Sequence, residues 1–167
     1  MKTKVQTVVF VVKDGKILLA EKKTDTNVKE AVDMLGKLNG YGGLCKLNET
    51  FEEATVREFN EEAKPAKIVK NFLTKVAEID LVFFSEERLR VNLHVFISSN
   101  VIGTPSETRE MKKGKWYSIN RLPKRQIIKS DLLWLPRILE GQKIKAEIIF
   151  NRQKELLDVD INQVEGF

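Results

Sequence analysis

A dense run of glutamates in the first half of an otherwise basic chain is the feature that most restricts its fold. From residue 48 to residue 62 there are six glutamates and one arginine, whereas the 167-residue chain as a whole has a net charge of +5. Asn48 or Thr50 can cap a helix that runs to about Ala63, and Pro65 disfavours its continuation. Because like charges one turn apart repel, a fold that keeps this helix must use its carboxylates or pair them.

Three of the glutamates share one face of the predicted helix. Glu58, Glu61 and Glu62 stand at i, i+3 and i+4, and repulsion between Glu58 and Glu62 costs roughly 0.2–0.5 kcal/mol in an isolated helix. Arg57 lies four residues after Glu53 and four before Glu61, where it can pair with acids. Such a cluster of hard oxygen ligands suits Mg²⁺ when substrate phosphates and waters complete the octahedron. The alternative is a solvated acidic face that binds no metal.

The rest of the chain predicts a single α+β domain over residues 1–167 with a mixed β-sheet. Apolar segments separated by turn residues predict strands at Val5–Val12, Lys16–Glu21, Ile68–Leu73, Lys75–Phe84, Arg88–Ser98, Lys115–Ile119, Ile144–Phe150 and Glu155–Ile161. Thr24–Leu38 is expected to form a loop with one helical turn, and Gly40–Gly43 to interrupt regular structure. Gly103–Gly114 predicts a further loop. A helix over Asp131–Leu139 has to accommodate Pro136.

Composition excludes several classes of protein. No apolar run approaches the ~20 residues needed to span a bilayer, so no membrane association is expected. The N-terminus lacks the features of a signal peptide, and a lone Cys45 excludes an internal disulfide, so we expect a cytoplasmic protein. The excess of 29 Lys and Arg over 24 Asp and Glu could attract nucleic acid or a phosphorylated ligand. A merely lysine-rich surface would produce the same excess.

The spacing around the acidic helix closely resembles the Nudix box, G-x5-E-x7-R-E-U-x-E-E-x-G-U, where U is a bulky aliphatic residue. Here the segment reads Gly43-x5-Glu49-x7-Arg57-Glu58-Phe59-x-Glu61-Glu62. Two departures stand at its end, where Lys64 replaces the last glycine and Pro65 the last apolar residue. The resemblance implies a Nudix fold, in which a mixed sheet is sandwiched between helices and the box forms a loop and helix that bind divalent metal. The two departures put the exit from that helix in doubt more than the chemistry.

The same resemblance implies roles for the residues of the box. Glu61 and Glu62 would be metal ligands, and Glu58 a ligand or the general base. Arg57 and Glu49 would orient these groups, and the backbone carbonyl of Gly43 would be a further ligand. The metal ion would be Mg²⁺, for which Mn²⁺ can substitute.

A second set of motifs is similar to the MutT-type branch of that family, and most of all to the 8-oxo-dGTP diphosphatases. These motifs are Gly36–Gly43, Leu93–Phe96, Gly103-Thr104-Pro105, Glu110-Met111 and Trp134-x-Pro136. The resemblance implies that Asn39 bonds the purine, that Glu110 adds a carboxylate to the metal site, and that Asp131 reads the base edge. Further candidates for contact with the substrate are Lys22, Phe83, Ser130 and Trp134.

Each of these residues also has a structural explanation. Asn39-Gly40 is a favourable turn pair, Glu110 can be an ordinary exposed loop acid, and Asp131 can cap the following helix. Large aromatic residues belong to cores more often than to ligand pockets, which applies to Trp116, Trp134 and Phe83. The only histidine, His94, lies in an apolar strand and is expected to be structural, and Cys45 to be passive.

The expected function is Mg²⁺-dependent hydrolysis of oxidised purine nucleoside triphosphates, such as 8-oxo-dGTP, to a monophosphate and pyrophosphate, which cleans the nucleotide pool. The alternatives are another Nudix substrate (an undamaged nucleotide, a dinucleoside polyphosphate, an ADP-sugar or capped RNA) and a non-catalytic nucleotide binder. We expect a monomer whose partner is a small nucleotide, with no stable nucleic-acid partner. Ser130 replaces a second aspartate of the branch, so Asp131 is expected to stay ionised and to favour 8-oxo-guanine over 2-hydroxy-adenine by ~10-fold or more.

Overall fold

The computed structural model of the protein describes residues 1–23, 34–85 and 88–167. Within those ranges the chain forms nine strands and two α-helices. The strands are β1 (Lys2–Lys13), β2 (Lys16–Glu21), β3 (Leu38–Asn39), β4 (Tyr41–Leu44), β5 (Leu73–Phe83), β6 (Leu89–Ser98), β7 (Lys115–Ser118), β8 (Lys143–Phe150) and β9 (Leu156–Val164). The helices are α1 (Phe51–Glu62) and α2 (Leu135–Leu139).

The strands make one mixed sheet in the order β3-β2-β1-β6-β5-β8-β9, with β4 paired to β1 and β7 paired to β2. The β1–β6 and β5–β8 pairs are parallel, and the other pairs are antiparallel. Both kinds of pairing therefore occur in this sheet, as the sequence predicts.

The two faces of the sheet carry separate hydrophobic cores, because side chains alternate along each strand. In β1, Val8 and Phe10 belong to one core, whereas Val9 and Val11 belong to the other. The first core contains Trp134, Leu135 and Ile138 around α2, and the second contains Phe59 and Ala63 around the end of α1. The sheet thus lies between helices, which confirms the predicted fold class.

Most predicted elements are confirmed with shifts at their ends, but one predicted strand is wrong. Ile68–Leu73 is not a strand, because Lys70–Phe72 forms a 3-10 turn and β5 begins only at Leu73. Before that turn, the side chain of Asn60 accepts the amide proton of Ile68 at 3.0 Å. The Ile68 amide is therefore committed to a helix side chain and does not donate to a neighbouring strand.

The glycine cluster was also mispredicted, because Tyr41–Leu44 continues the sheet as β4 instead of interrupting it. A Cβ atom on Gly42 would lie 2.0 Å from the carbonyl oxygen of Thr7, so only glycine permits this close pairing with β1. The glycines here allow two strands to pair closely. The prediction was wrong because it considered only that glycines end regular structure.

The predicted helix at Asp131–Leu139 is divided in the structure. A 3-10 turn at Asp131–Leu133 precedes α2, and Pro136 sits in the first turn of α2, where no backbone donor is needed. Of the predicted loop Thr24–Leu38, residues 24–33 lie outside the described residues, and Leu38 already belongs to β3. In the described parts of the chain no helix is long and apolar enough to cross a membrane.

Candidate active site

Helix α1 begins with a capping box that presents its later glutamates in a defined register. The Thr50 side chain accepts the amide proton of Glu53, and the Glu53 carboxylate accepts that of Thr50, at 3.2 and 2.9 Å. Of the two caps that the sequence allows, the structure uses Thr50. The glutamates of the first turn therefore stabilise the helix, whereas those of the last two turns take no part in capping it.

Arg57 ties the loop before the helix to the helix itself. Its guanidinium donates to both carboxylate oxygens of Glu49, at 2.5 and 2.9 Å, and to the carbonyl oxygen of Leu44 at 3.0 Å. It also donates to Glu58 at 2.6 Å. The bond from Arg57, with a second from the Lys46 amide, lowers the pKa of Glu49 to about 2. Glu49 and Arg57 thus form a close, two-bonded ion pair. Their role in orienting the other groups of the box stays a prediction.

Gly43 and Glu58 lie against each other. A Cβ atom on Gly43 would stand 2.5 Å from a carboxylate oxygen of Glu58, so no other residue fits there without displacing the glutamate. The strand β4 and the helix α1 therefore bring a backbone segment and a carboxylate to one point. That both are ligands of one ion stays a prediction.

Glu62 is buried, at 3 % exposure, and is bound on both sides. Lys22 donates to one carboxylate oxygen at 3.1 Å, and the Gly42 amide donates to the other at 3.1 Å. Burial raises the pKa of Glu62 to about 7, and the charge of Lys22 opposes that rise. The Lys22 ammonium also lies 3.9 Å from Glu110, so these two carboxylates face one cation.

Glu61 differs from its neighbours because its side chain is 54 % exposed. Its carboxylate lies 3.6 Å from Arg57, the longest of the three contacts that Arg57 makes with acids of the box. Glu61 therefore points toward solvent, where a substrate can approach it.

The donor chemistry fits a divalent cation, although no three acidic, histidine or cysteine side chains already converge on one point in the described residues. Instead, Lys22 forms an ion pair with Glu62, and Arg57 forms one with Glu58. These are hard oxygen donors beside the backbone of Gly43, the class of ligand that Mg²⁺ and Mn²⁺ take. Their individual roles as ligands remain predictions.

The loop between β6 and β7 packs against the end of α1 through hydrogen bonds that the sequence did not predict. The Thr108 hydroxyl donates to the carbonyl oxygen of Glu62 at 3.0 Å, and the Ser106 amide donates to that of Lys64 at 3.1 Å. Lys23 donates to Glu107 and to the Thr108 carbonyl, at 2.7 and 3.0 Å. These contacts hold the helix exit where Lys64 and Pro65 depart from the box, and no local pattern signals them.

The residues expected to read the base lie on β3 and just before α2. Leu38 of β3 pairs with Ile127, and Ser130 and Asp131 follow Ile127 by three and four residues. Asn39 accepts the amide proton of Gly40 at 2.7 Å, the local bond typical of a turn. We call Asn39, Ser130 and Asp131 the base end, and Lys22, Gly43, Glu49, Glu110 and the glutamates and arginine of residues 57–62 the acidic end.

Asp131 is harder to ionise than the sequence predicts. It is 8 % exposed and Ser130 is 7 % exposed, and burial raises the pKa of Asp131 to about 7. A buried carboxyl without a compensating charge prefers its neutral form. Asp131 is also not a helix cap, since no side chain caps the 3-10 turn or α2.

The aromatic candidates divide into core and surface. Trp134 is fully buried and packs edge-on against Phe10 at 6.0 Å, and Phe83 stacks on Phe150 at 4.8 Å. Both occupy the core, so neither offers exposed surface to a substrate. The core prediction for Trp116 is wrong, because it is 41 % exposed.

His94 is buried and stacks on Phe51 at 3.6 Å, which supports its structural interpretation. Burial and the nearby Lys75 lower its pKa to about 4, so it stays neutral. Cys45 is a free thiol whose pKa is raised, first by burial and then by Glu49, so the reactive thiolate is disfavoured.

Comparison with known proteins agrees with this geometry. Residues 2–138 match the NUDIX domain, and the chain belongs to that family of hydrolases. It is 31 % identical to the oxidized purine nucleoside triphosphate hydrolase of Danio rerio, over 98 % of this chain and 97 % of that one. It is 28 % identical to the protein of that name from Mus musculus, over 99 % and 98 %. The MutT protein of Bacillus halodurans has the same fold, with a TM-score of 0.73, 16 % identity and coverage of 95 % and 97 %. Nudix hydrolases generally need a divalent metal ion.

Proposed function

We propose that this protein hydrolyses oxidised purine nucleoside triphosphates, such as 8-oxo-dGTP, to the nucleoside monophosphate and pyrophosphate with Mg²⁺. The observation that carries the proposal is Asp131, a buried carboxyl four residues after the Ile127 that pairs with Leu38 of β3, whose pKa burial raises to about 7. Relatives named for this activity match along nearly the whole chain. The biological role would be sanitation of the nucleotide pool by a cytoplasmic monomer without a stable nucleic-acid partner.

The base end has the chemistry to distinguish oxidised purines. A protonated carboxyl donates one hydrogen bond and accepts another, whereas an ionised one only accepts. A group that titrates near pH 7 offers both patterns, and the Asn39 amide adds a donor and an acceptor. Because Ser130 and Asp131 are buried, an unmatched base would leave a buried polar atom unsatisfied, which is costly.

The acidic end supports attack on the phosphate chain. A bound divalent ion neutralises phosphate oxygens and lowers the pKa of water. Glu58 is the proposed base, because Arg57 holds one of its oxygens and the carboxylate stands beside Gly43. Glu61 faces solvent, and Lys22, once released from Glu62, would supply positive charge to a phosphate.

A second candidate is a nucleoside diphosphate sugar. The chain is 31 % identical to the ADP-ribose pyrophosphatase of Methanocaldococcus jannaschii, over 73 % of this chain and 69 % of that one. ADP-ribose has no triphosphate and no oxidised base, so the two candidates differ at both ends of the site.

One panel assay separates these functions. Product release is measured with Mg²⁺ for 8-oxo-dGTP, 8-oxo-dATP, their undamaged forms, a pyrimidine triphosphate, a dinucleoside tetraphosphate, capped RNA and ADP-ribose. The proposal expects the highest kcat/KM for an oxidised purine and the release of pyrophosphate, with oxygen from labelled water entering at the α–β bridge. Preferred cleavage of ADP-ribose, or release of orthophosphate with a diphosphate, would reject it.

A further inference from the structure

The two carboxylates that face Lys22 belong to different parts of the fold. Glu62 ends helix α1, whereas Glu110 lies in the loop between β6 and β7, 48 residues later. Lys22 is 3.1 Å from the first and 3.9 Å from the second. The two carboxylates lie on separate elements. The distance between them is therefore fixed only if contacts hold the loop against the helix.

Backbone bonds fasten the loop to strand β2 and, through Ser106 and Lys64, to the segment just after α1, but within the described residues none reaches α1 itself. The Lys23 amide donates to the carbonyl of Glu110 at 2.8 Å, and the Lys112 amide donates to that of Glu21 at 2.9 Å. These bonds set where Glu110 stands relative to β2. The Ser106–Lys64 bond brings the loop to the helix exit, and a contact with the last turn of α1 itself has to come from a side chain.

Thr108 supplies this contact through its side chain. Its hydroxyl donates to the carbonyl oxygen of Glu62 at 3.0 Å and accepts the amide proton of Met111 at 3.3 Å. The Thr108 amide in turn donates to the carbonyl of Met111 at 2.9 Å, which closes a tight turn around Glu110. A single hydroxyl therefore bonds the residue that carries one carboxylate and the residue next to the other.

We propose that Thr108 is a positioning residue, which holds Glu62 and Glu110 in one constellation for a divalent cation. This inference rests on the proposed metal-dependent function of the acidic end. Groups that orient metal ligands through hydrogen bonds change metal affinity by ~10–100-fold when they are removed. Because Thr108 acts through backbone atoms next to the ligands, we expect an effect at the lower end of that range.

The test compares Thr108→Val, which keeps the shape and loses the hydroxyl, with Thr108→Ser, which keeps the hydroxyl. Thr104→Val is the matched control, because Thr104 is an exposed threonine of the same loop. Binding of Mn²⁺ to the protein without nucleotide is followed by electron paramagnetic resonance. Thr108→Val is expected to weaken Mn²⁺ binding about 10-fold, whereas Thr108→Ser and Thr104→Val change it less than about 2-fold.

Two further measurements separate positioning from stability. Amide exchange at Met111 should accelerate in Thr108→Val, and the Mg²⁺ concentration for half-maximal velocity should rise while KM at saturating Mg²⁺ stays constant. If Thr108→Val binds Mn²⁺ as tightly as the unmodified protein, even with a lower unfolding temperature, the hydroxyl only stabilises the loop and the inference is wrong. If Thr108→Val does not fold, Thr108→Ala is judged by the same criteria.

The outcomes also separate this inference from the proposed function. An unmodified protein that binds Mn²⁺ but cleaves no oxidised purine triphosphate would reject the proposed substrate, and the Thr108 comparison would still be decided by binding. An unmodified protein that binds no Mn²⁺ would reject the metal site and the role of Thr108 together.

Discussion

Glu49 of the acidic end and Asp131 of the base end differ in what sets their charge. Glu49 is fastened by Arg57, and its pKa falls to about 2, whereas Asp131 is buried in an apolar environment and its pKa rises to about 7. The first arrangement keeps a negative charge under nearly all conditions. The second creates a group whose charge changes near neutral pH. Charge pairing therefore keeps Glu49 ionised, whereas desolvation raises the pKa of Asp131 and, within the acidic end, that of the buried Glu62.

The largest effect is expected on stability, from Asp131→Asn. Between about pH 4 and pH 7 the unfolded chain ionises Asp131 while the folded protein keeps it protonated, so the folded state binds more protons. Stability conferred by this group therefore falls as pH rises through that window and levels off above it. The shift from 3.8 to about 7 corresponds to roughly 4 kcal/mol.

Urea unfolding of both proteins from pH 4.5 to pH 8.5 measures this difference. Asp131→Asn should gain stability relative to the unmodified protein as pH rises, and the gain should stop above pH 7.5. A constant difference at all pH values would mean that Asp131 is ionised in the folded protein, and the contrast with Glu49 would disappear.

The second effect concerns catalysis at the acidic end. Glu61→Gln and Glu62→Gln are each expected to lower kcat by ~100-fold or more, about 2.7 kcal/mol, as for the loss of a positioned catalytic group. The fold should survive both changes, since glutamine keeps the shape of glutamate and, at position 62, an oxygen that can still accept from Lys22 or from the Gly42 amide. Steady-state kinetics with Mg²⁺ measure the fall in kcat. A chelator should abolish the activity of the unmodified protein.

Glu52→Gln is the matched control, because Glu52 is an acid in the first turn of the same helix. Its kcat should stay within about 2-fold of the unmodified value. Equal losses at Glu52 and Glu61, or full activity with chelator, would leave only a solvated acidic face.

The third effect concerns the choice of base. Ionised Asp131 matches the two donors of a guanine edge, whereas protonated Asp131 can also donate to the N1 acceptor of 8-oxo-dATP. The ratio of kcat/KM for 8-oxo-dGTP over 8-oxo-dATP should therefore rise about 10-fold from pH 6 to pH 8.5. Asp131→Asn should flatten this dependence, and a ratio in the unmodified protein that does not change with pH would contradict it.

The smallest effect separates the structural part of α1 from its catalytic part. Thr50→Ala removes a helix cap and should lower the free energy of unfolding by about 1 kcal/mol. Because the capping box lies two turns from Glu58, kcat should not change at a temperature where the protein is folded. A matching fall in kcat would show that the helix ends are coupled.

Much of the acidic end was predictable because its interactions are close in sequence. The i, i+3 and i+4 spacing places Glu58, Glu61 and Glu62 on one face whatever surrounds the helix. Arg57 and Glu49 are eight residues apart, and their pairing follows from the same loop and helix. Lys22 was named as a candidate, but its bond to Glu62 spans 40 residues and required the fold.

By itself the sequence determined the fold class, the charged face of the acidic helix and the family, because periodicity and fixed spacing act over a few helical turns. Only the tertiary structure decided that Asp131 titrates near pH 7, that Trp134 and Phe83 belong to the core, and that Thr108 joins the loop to α1. These three properties depend on burial and on bonds between distant segments. Desolvation has no signature in a local pattern, because it arises only when other parts of the chain exclude water from a group.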